Sequence, residues 1–308
     1  MDESQVFVRF PESHLMGLLG NIKALWQGGE RLDVTKRFEL LREAVSGTMS
    51  SFYVARDIKS GKTVGLKLID AEKTAQVEAR FQGLKKPAEG EIAVRFHHPH
   101  IVETLEYGTT TKGEPYVVME FLDGPGLNFL INGKDKRLTG RRVTLLRQAG
   151  EALAAVHKAG YIHRDVCPRN FVTTKDCSSL KLIDFGLTVP ATAAFMKPGN
   201  RTGTANYMAP EVVRRRPTSQ SLDVFAFGVT AYETCTLELP WPRGDSGLAA
   251  MSHGVDKPTD IHKYAPNINP QLAEAIYACL QPEPEKRPTM EKFLKMIKDV
   301  AREDSPSA

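Results

Sequence analysis

The chain reads His163-Arg164-Asp165-Val166-Cys167-Pro168-Arg169-Asn170 near its middle, and this stretch decides the fold. A carboxylate that can accept a hydroxyl proton lies five residues ahead of an amide that can bind a metal ion. A second acid follows in Asp184-Phe185-Gly186, behind the short apolar segment Leu180-Lys181-Leu182-Ile183, and Ala209-Pro210-Glu211 comes later. Each short motif alone occurs by chance, but their order and spacing together indicate one chemistry.

This ordered set resembles the catalytic core of the protein kinases. The segment from Gly203 to Glu211, with its Gly-Thr-x-x-Tyr beginning, is similar to the serine/threonine class, and the whole resembles the bacterial eukaryotic-like kinases. The resemblance implies an α+β bilobal fold. It predicts a small antiparallel β-sheet N-lobe with one helix, followed by a larger, mostly α-helical C-lobe.

Composition and charge agree with a globular protein that binds an anionic ligand. The chain is 41% hydrophobic, and its net charge of +4 is too small to indicate nucleic-acid binding. Its four cysteines form no Cys-x-x-Cys pair, which favours a reducing compartment over a disulfide framework or a zinc site. No apolar run is long enough to span a membrane, and the acidic Met1-Asp2-Glu3 start is unlike a secretory signal. We therefore expect a cytoplasmic protein.

Three segments are expected along the chain. They are an N-terminal extension (1–36), a kinase domain (37–302, with the N-lobe over 37–121 and the C-lobe over 122–302) and a flexible tail (303–308). In the extension, apolar residues between Leu15 and Trp26 recur at helical spacing, which predicts a short amphipathic helix. The same helix could dock a partner instead of packing on the domain.

Secondary structure within the domain follows from periodicity and turn residues. Strands are predicted around 38–41, 51–55, 63–69 and 116–119, with one helix between Pro87 and Phe96. Longer helices are predicted around 143–157, 224–234, 272–280 and 290–301. A mostly-β part followed by a mostly-α part predicts two lobes with a ligand cleft between them.

The resemblance assigns the chemistry to a few side chains. Asp165 is expected to accept or orient the substrate hydroxyl proton, while Asn170 and Asp184 are expected to hold Mg²⁺ against the phosphates of ATP. Lys67, in Val64-Gly65-Leu66-Lys67, is expected to contact the α and β phosphates. Its partner is expected to be Glu89 on the following helix, with Glu91 as the alternative.

The adenine site is also assigned by resemblance. Met119 stands at the gatekeeper position, Glu120 and Leu122 would offer backbone groups to adenine, and Val172 would lie under the ring. Three structural roles are implied as well. His163 is expected to pack under Phe185, Asp223 to anchor the catalytic loop, and Arg287 to pair with Glu211.

The glycine-rich loop departs from the family pattern. The three expected glycines align with Val45, Gly47 and Ser50, so only the middle one remains. Glycines let backbone amides approach phosphates without a Cβ in the way, and Val45 is β-branched. Phe52 replaces the valine usually found above adenine. These changes predict weak ATP binding.

The catalytic loop departs from the pattern too. Cys167 occupies the position of the lysine that touches the transferring phosphate, and Arg169 lies two residues further on. We hypothesise that Arg169 supplies the missing positive charge near the γ-phosphate. It should also repel arginine in the substrate and favour neutral or acidic surroundings.

Regulation through the activation segment, Asp184 to Glu211, is implied by Arg164 beside Asp165. A phosphothreonine there could pair with Arg164 and order the segment. Thr202 is preferred over Thr192 because Lys197 and Arg201 are close in sequence. An upstream kinase or another partner acting on this segment is therefore a possible regulator.

Three functions fit the inventory of motifs. The first is a serine/threonine protein kinase that uses ATP and Mg²⁺ and acts on a protein substrate. The alternative is a pseudokinase-like nucleotide-binding or scaffold module, favoured by the degraded glycine loop. A small-molecule kinase of related fold is the third, and the Gly203-Thr204 and Ala209-Pro210-Glu211 motifs argue against it.

Overall fold

The computed structural model describes residues 31–46, 49–78, 84–198, 202–244 and 249–301. The helix predicted between Leu15 and Trp26, the glycine-loop residue Gly47 and the tail 303–308 lie outside the described residues. The boundaries of the three expected segments stay predictions. None of the helices in the described ranges is long and apolar enough to cross a membrane.

The predicted α+β bilobal fold is confirmed, with a sheet in the N-lobe and helices in most of the C-lobe. The strands are β1 (Phe38–Ser46), β2 (Ser50–Asp57), β3 (Thr63–Ile69), β4 (Thr104–Thr109), β5 (Pro115–Glu120), β6 (Tyr161–Ile162), β7 (Phe171–Thr173), β8 (Leu180–Leu182) and β9 (Val189–Pro190). The helices are α1 (Val34–Arg37), α2 (Ala71–Glu78), α3 (Glu89–Ala93), α4 (Leu127–Asn132), α5 (Arg142–Lys158), α6 (Pro210–Val213), α7 (Ser221–Thr236), α8 (Pro270–Cys279) and α9 (Met290–Met296).

The N-lobe is a five-stranded antiparallel sheet in the order β1-β2-β3-β5-β4. Its turn between β2 and β3 contains Gly61 at φ 70°, a left-handed conformation that glycine adopts without strain. A small apolar cluster that includes Phe38, Leu66 and Val118 lies in this sheet, apart from the main core. In the sheet register, Phe52 of β2 lies opposite Lys67 of β3. These two strands therefore form the part of the sheet nearest the cleft.

Two of the sequence-based predictions for the N-lobe need correction. The helix expected between Pro87 and Phe96 is present as the short α3, but α2 and the single turn α1 accompany it. The strand β4 was not predicted. Its Thr-Leu-Glu-Tyr-Gly-Thr sequence contains only two apolar residues, Leu105 and Tyr107, which is too short a pattern to predict a strand, and the strand forms by pairing with β5.

The C-lobe is built around α5 and α7, whose buried faces contribute to one large core. The apolar residues of α5 repeat every three or four positions, and α7 is apolar on nearly all sides because neighbouring elements surround it. The helix predicted over 290–301 ends earlier, at Met296. Helix α4 was missed because its six residues are too few for a periodic signal.

Candidate active site

A lysine and two carboxylates meet between the sheet and the C-lobe. The Lys67 ammonium on β3 lies 2.7 Å and 2.9 Å from the two carboxylate oxygens of Glu89 and 3.0 Å from Asp184 Oδ1. Burial alone would lower the pKa of Lys67, but the Asp184 and Glu89 carboxylates raise it, so the side chain keeps its charge. The alternative partner, Glu91, instead accepts a hydrogen bond from the Ala88 backbone N–H.

Glu89 reaches Lys67 because α3 lies tightly against β4. A Cβ at Gly90 would be 2.4 Å from Tyr107 Cβ, so only glycine permits this approach. The same glycine made the helix look weak from sequence, since glycine has low helix propensity. Gly90 is required because α3 packs against Tyr107, and no local sequence pattern could show this requirement.

Asp184 follows β8 in a left-handed conformation at φ 65°. Its Oδ1 accepts hydrogen bonds from Lys67 and from the Gly186 backbone N–H, both at 3.0 Å. Burial would raise the pKa of Asp184, but the Lys67 charge and these hydrogen bonds lower it to about 2. The group is therefore a carboxylate at neutral pH, and within the described residues no hydrogen bond reaches its Oδ2.

Asp165 is held by three donors. Its Oδ2 accepts from Arg169 at 2.7 Å and from the Asn170 amide at 3.0 Å, and its Oδ1 accepts from the Thr204 hydroxyl at 2.7 Å. The Asn170 amide also donates to the Asp165 carbonyl at 2.7 Å. Each carboxylate oxygen carries two lone pairs, so Asp165 retains acceptor capacity for a further hydroxyl.

The loop that carries Asp165 is fastened to a buried carboxylate on α7. Asp223 accepts hydrogen bonds from the backbone N–H groups of His163 at 2.7 Å and Arg164 at 2.8 Å, and its Oδ2 lies 2.9 Å from His157 Nε2. Burial would raise the pKa of Asp223, but the His157 contact and these donors lower it. The expected anchoring position of Asp223 is thus present in the geometry.

The predicted packing of His163 beneath Phe185 is also found. The two rings lie 5.4 Å apart edge to face, and Phe185 stacks on Phe96 from the N-lobe at 5.0 Å. These three rings connect the catalytic loop, the Asp184 segment and the end of α3. The predicted ion pair of Glu211 with Arg287 is present as two buried contacts of 2.8 Å.

Cys167 is a buried, uncharged thiol in this loop. Its Sγ lies 3.7 Å from the Thr204 hydroxyl, and burial together with the Asp165 charge raises the pKa of the thiol to about 12. Arg169 forms an ion pair with Asp165 at 2.7 Å, and that carboxylate raises the pKa of Arg169 despite partial burial. The structure therefore brings Arg169, not residue 167, into contact with Asp165.

The activation segment returns to this loop at a close approach. Gly203 has φ 115°, and a Cβ there would lie 2.7 Å from the Arg164 carbonyl oxygen. The adjacent Thr202 is buried and accepts a hydrogen bond from Arg164 Nε at 3.1 Å, whereas Thr192 is exposed. Of the two candidate phosphorylation sites, Thr202 is the one in contact with Arg164.

The roof and back of the cleft are formed by Phe52, Gly65 and Met119. A Cβ on Gly65 would lie 2.7 Å from Phe52 Cζ and 3.0 Å from Met119 Cγ, so the Phe52 ring occupies the space of a residue-65 side chain. Val45 pairs with Phe52 across β1 and β2. Sequence reasoning noted the large Phe52 but missed that Gly65 makes room for it.

The hinge segment follows β5. The Glu120 N–H donates to the Glu103 carbonyl at 3.0 Å, and Glu120 pairs with Val64 in the register of β3 and β5. No backbone–backbone hydrogen bond within the described part of the chain involves Leu122. Val172 lies half-buried in β7, facing Lys181 in the register with β8.

Comparison with known proteins identifies the family of this fold. Residues 38–297 match the protein kinase domain model. The chain is 31% identical over 82% of its length to the serine/threonine-protein kinase PknA of Mycobacterium tuberculosis and 30% identical over 82% to PknB of Mycolicibacterium smegmatis. The matched regions cover 58% and 41% of those two proteins, so the chain spans only part of the relatives it matches.

Proposed function

Because this chain belongs to the protein kinase domain family, we propose that it transfers the γ-phosphoryl group of ATP to serine and threonine hydroxyls of protein substrates. The observation that carries the proposal is the continuous set of contacts across the cleft. Glu89 holds Lys67, Lys67 holds Asp184, and Asp165 lies in the neighbouring loop together with Asn170. Phosphoryl transfer needs little beyond such positioned charges.

Lys67 supplies the positive charge on the nucleotide side. In our proposal it contacts the α and β phosphates, which are anionic, through an ammonium whose pKa is raised by Asp184 and Glu89. Glu89 fixes the position of this ammonium from the opposite side. The β-branched Val45 carries a Cβ where the family pattern has glycine, which hinders close approach of the loop backbone to phosphates, so we expect Lys67 to carry more of the phosphate contact than in a three-glycine loop.

Asp165 orients the acceptor hydroxyl and accepts its proton as the oxygen attacks phosphorus. The three donors on its carboxylate hold it in one orientation, which is the condition for aligning the hydroxyl with the γ-phosphate. Arg169 adds a charge beside this carboxylate. We propose that the Arg169 guanidinium supplies the positive charge near the γ-phosphate that a lysine at position 167 would otherwise supply.

The side chains suit Mg²⁺, which prefers oxygen ligands. The Oδ2 atom of Asp184 and the Oδ1 atom of Asn170 have no hydrogen-bond partner among the described residues, and both belong to groups fixed through their other atoms. We propose these two residues as the Mg²⁺ ligands. When bound, the ion would neutralise phosphate charge.

For adenine we propose the hinge and the cleft walls as the binding surface. The backbone groups of Glu120 and Leu122 would bind the base, with Met119 behind it, Phe52 above it and Val172 below. The Phe52 ring takes up space on the roof, which supports the expectation of weak ATP binding.

Phosphorylation of Thr202 by an upstream kinase is our proposal for activation. A phosphate there would meet Arg164, which already contacts the hydroxyl. Because Thr202 is buried, the segment has to move before another enzyme reaches it. Mass spectrometry of the active protein tests this; full activity with Thr202 unmodified would remove the proposal.

The compartment that we propose is the cytoplasm. All four cysteines are free thiols, as proteins of reducing compartments usually have. Cell fractionation with an antibody against the chain would test the assignment.

Transfer of radiolabel from γ-³²P-ATP to a protein substrate by the purified chain tests the main proposal. Asp184→Asn should remove detectable transfer, because it removes the negative charge of the only carboxylate among the two proposed metal ligands. Asp299→Asn is the matched control, since it makes the same change at an exposed site on the far C-terminal part of the domain. Equal transfer by wild type and Asp184→Asn would contradict the proposed function.

A further inference from the structure

A cleft of about 180 Å³ opens beside the catalytic loop, and its lining does not include Lys67. Cys167, Arg169 and Thr204 form its inner wall, and two of these three residues also donate hydrogen bonds to Asp165. The cleft therefore adjoins Asp165, within reach of the residues that flank a hydroxyl bound there. Its lining determines which neighbouring side chains fit.

Positive charge and side-chain amides dominate the lining. Arg169 and Arg243 are 56% and 60% exposed, so both guanidinium groups are accessible. Asn128 and Asn132 are four residues apart on α4 and so share one face, and Asn206 lies opposite. Within the described residues, no hydrogen bond uses the amides of Asn128 and Asn132. The cleft thus offers several donors that have no acceptor.

The one carboxylate in the lining is already satisfied. Glu233 is 4% exposed, accepts a hydrogen bond from the Tyr207 hydroxyl and pairs with Arg243 at 3.2 Å. Burial raises the pKa of Glu233 as well, although Tyr207 and Arg243 oppose this. With two arginines and one paired carboxylate, the formal charge of the lining is positive.

We propose that this cleft is a specificity site for an acidic side chain, aspartate or glutamate, located close in sequence to the phosphorylated residue of the substrate. The proposal rests on the proposed kinase function and names the substrate class for it. A carboxylate there would accept hydrogen bonds from the guanidinium and amide donors that lack acceptors. An arginine there would face Arg169 and Arg243 with no available partner.

Two substitutions should move substrate selectivity in opposite directions. Arg243→Gln removes a positive charge and leaves Glu233 negative, so the preference for aspartate over asparagine in the peptide should fall. Glu233→Gln removes the negative charge, and the preference should rise. We expect changes of roughly threefold to tenfold each way, the range for partly exposed charge pairs and charged hydrogen bonds.

The measurement uses the full chain and serine peptides with Asp, Asn or Arg at each of the positions flanking the serine. The readout is the ratio of kcat/KM for the Asp and Asn peptides. Such a ratio does not depend on the fraction of folded enzyme, so a merely destabilised variant would leave it unchanged. Arg56→Gln is the matched control, because Arg56 is an equally exposed arginine with one carboxylate contact, to Glu39, on the outer N-lobe.

The wild-type chain should favour Asp at one or more positions, and added salt should weaken that preference. A ratio near one at all positions, with the neutral peptides still phosphorylated, would overturn the acidic site and leave the kinase function standing. Enrichment of Arg would overturn it too.

Binding of labelled peptides with alanine in place of serine, followed by fluorescence anisotropy, separates the two proposals. If no peptide is phosphorylated but Asp peptides bind more tightly and the two variants shift affinity in opposite directions, the cleft assignment holds and the catalytic proposal fails. If affinity is the same for Asp, Asn and Arg peptides, the cleft assignment fails.

Discussion

The catalytic loop and the roof of the cleft differ in what holds them. The loop is fixed by directed hydrogen bonds from backbone groups to the buried Asp223, whereas the roof is fixed by apolar contact between Phe52, Gly65 and Met119. Hydrogen bonds in a buried site require particular atoms, so substitution there leaves a polar group unsatisfied. Apolar contact requires volume, so a large residue at one position can be offset by a small one nearby.

Asp223→Asn should have the largest effect on stability. The amide has one acceptor oxygen and would turn an NH₂ toward a donor, so at least one buried N–H of His163 or Arg164 loses its acceptor. We expect the free energy of unfolding to fall by about 2–3 kcal/mol, measured by urea denaturation at pH 7. Turnover should fall as well, because the loop carries Asp165.

The pH dependence of this effect follows from the lowered pKa of Asp223. A carboxyl whose pKa is lower in the folded state stabilises the fold above its unfolded value near 3.8, and that stabilisation is lost as pH falls through the folded value. The difference between wild type and Asp223→Asn should therefore be constant from about pH 7 to 5 and shrink below about pH 4. A difference that grows on acidification would contradict the assignment.

Gly65→Ala tests the apolar contact between residue 65 and Phe52 in the roof of the cleft. The new Cβ meets the Phe52 ring at a distance that requires movement, and overpacking of this kind costs about 1–3 kcal/mol. Adding Phe52→Val should restore most of the stability, because it vacates the space. The double variant should also bind ATP more tightly than wild type by calorimetry, since the ring no longer narrows the roof.

The wild-type affinity for ATP with Mg²⁺ gives the baseline for that comparison. We expect it to be weaker than micromolar, and micromolar or tighter binding would contradict the reading of the glycine loop and Phe52. If Gly65→Ala and Phe52→Val are additive in stability, the two residues do not share the contact described.

Arg169→Ala should have the smallest effect of the three substitutions, and the effect should be on turnover. The side chain is more than half exposed and contacts Asp165 through a single N–H, so its removal leaves two donors on that carboxylate. We expect turnover to fall about tenfold, less than the roughly hundredfold or more for a buried positioned donor because this side chain is more than half exposed, while ATP affinity changes little. Equal turnover in the two proteins would exclude a catalytic role for this residue.

Much of the site geometry could be anticipated from short motifs, and the reason is physical. Asp165 and Asn170 lie five residues apart in one loop, so their spacing along the chain restricts their spacing in space. The positions of Asp184, of His163 under Phe185 and of Asp223 were expected from the family resemblance, since their contacts join segments that are distant in sequence. Their chemical roles still await the experiments above.

The features that were missed depend on contacts between distant segments. Gly90 reads as a weak helix residue, and only its contact with Tyr107 shows why glycine is needed. Gly65 and Phe52 lie thirteen residues apart and compensate across two strands. The cleft lined by Arg169 and Arg243 joins the catalytic loop to a segment after α7, and no local spacing could indicate it.

Cys167 has a practical consequence for following motion of the loop in solution. Thiol reagents attack the thiolate, and this thiol is both covered and kept protonated by a pKa of about 12. Its alkylation therefore requires the loop between Asp165 and Asn170 to open first. The labelling rate of Cys167, measured by peptide mass spectrometry, therefore reports how often the catalytic loop opens. No engineered probe is needed.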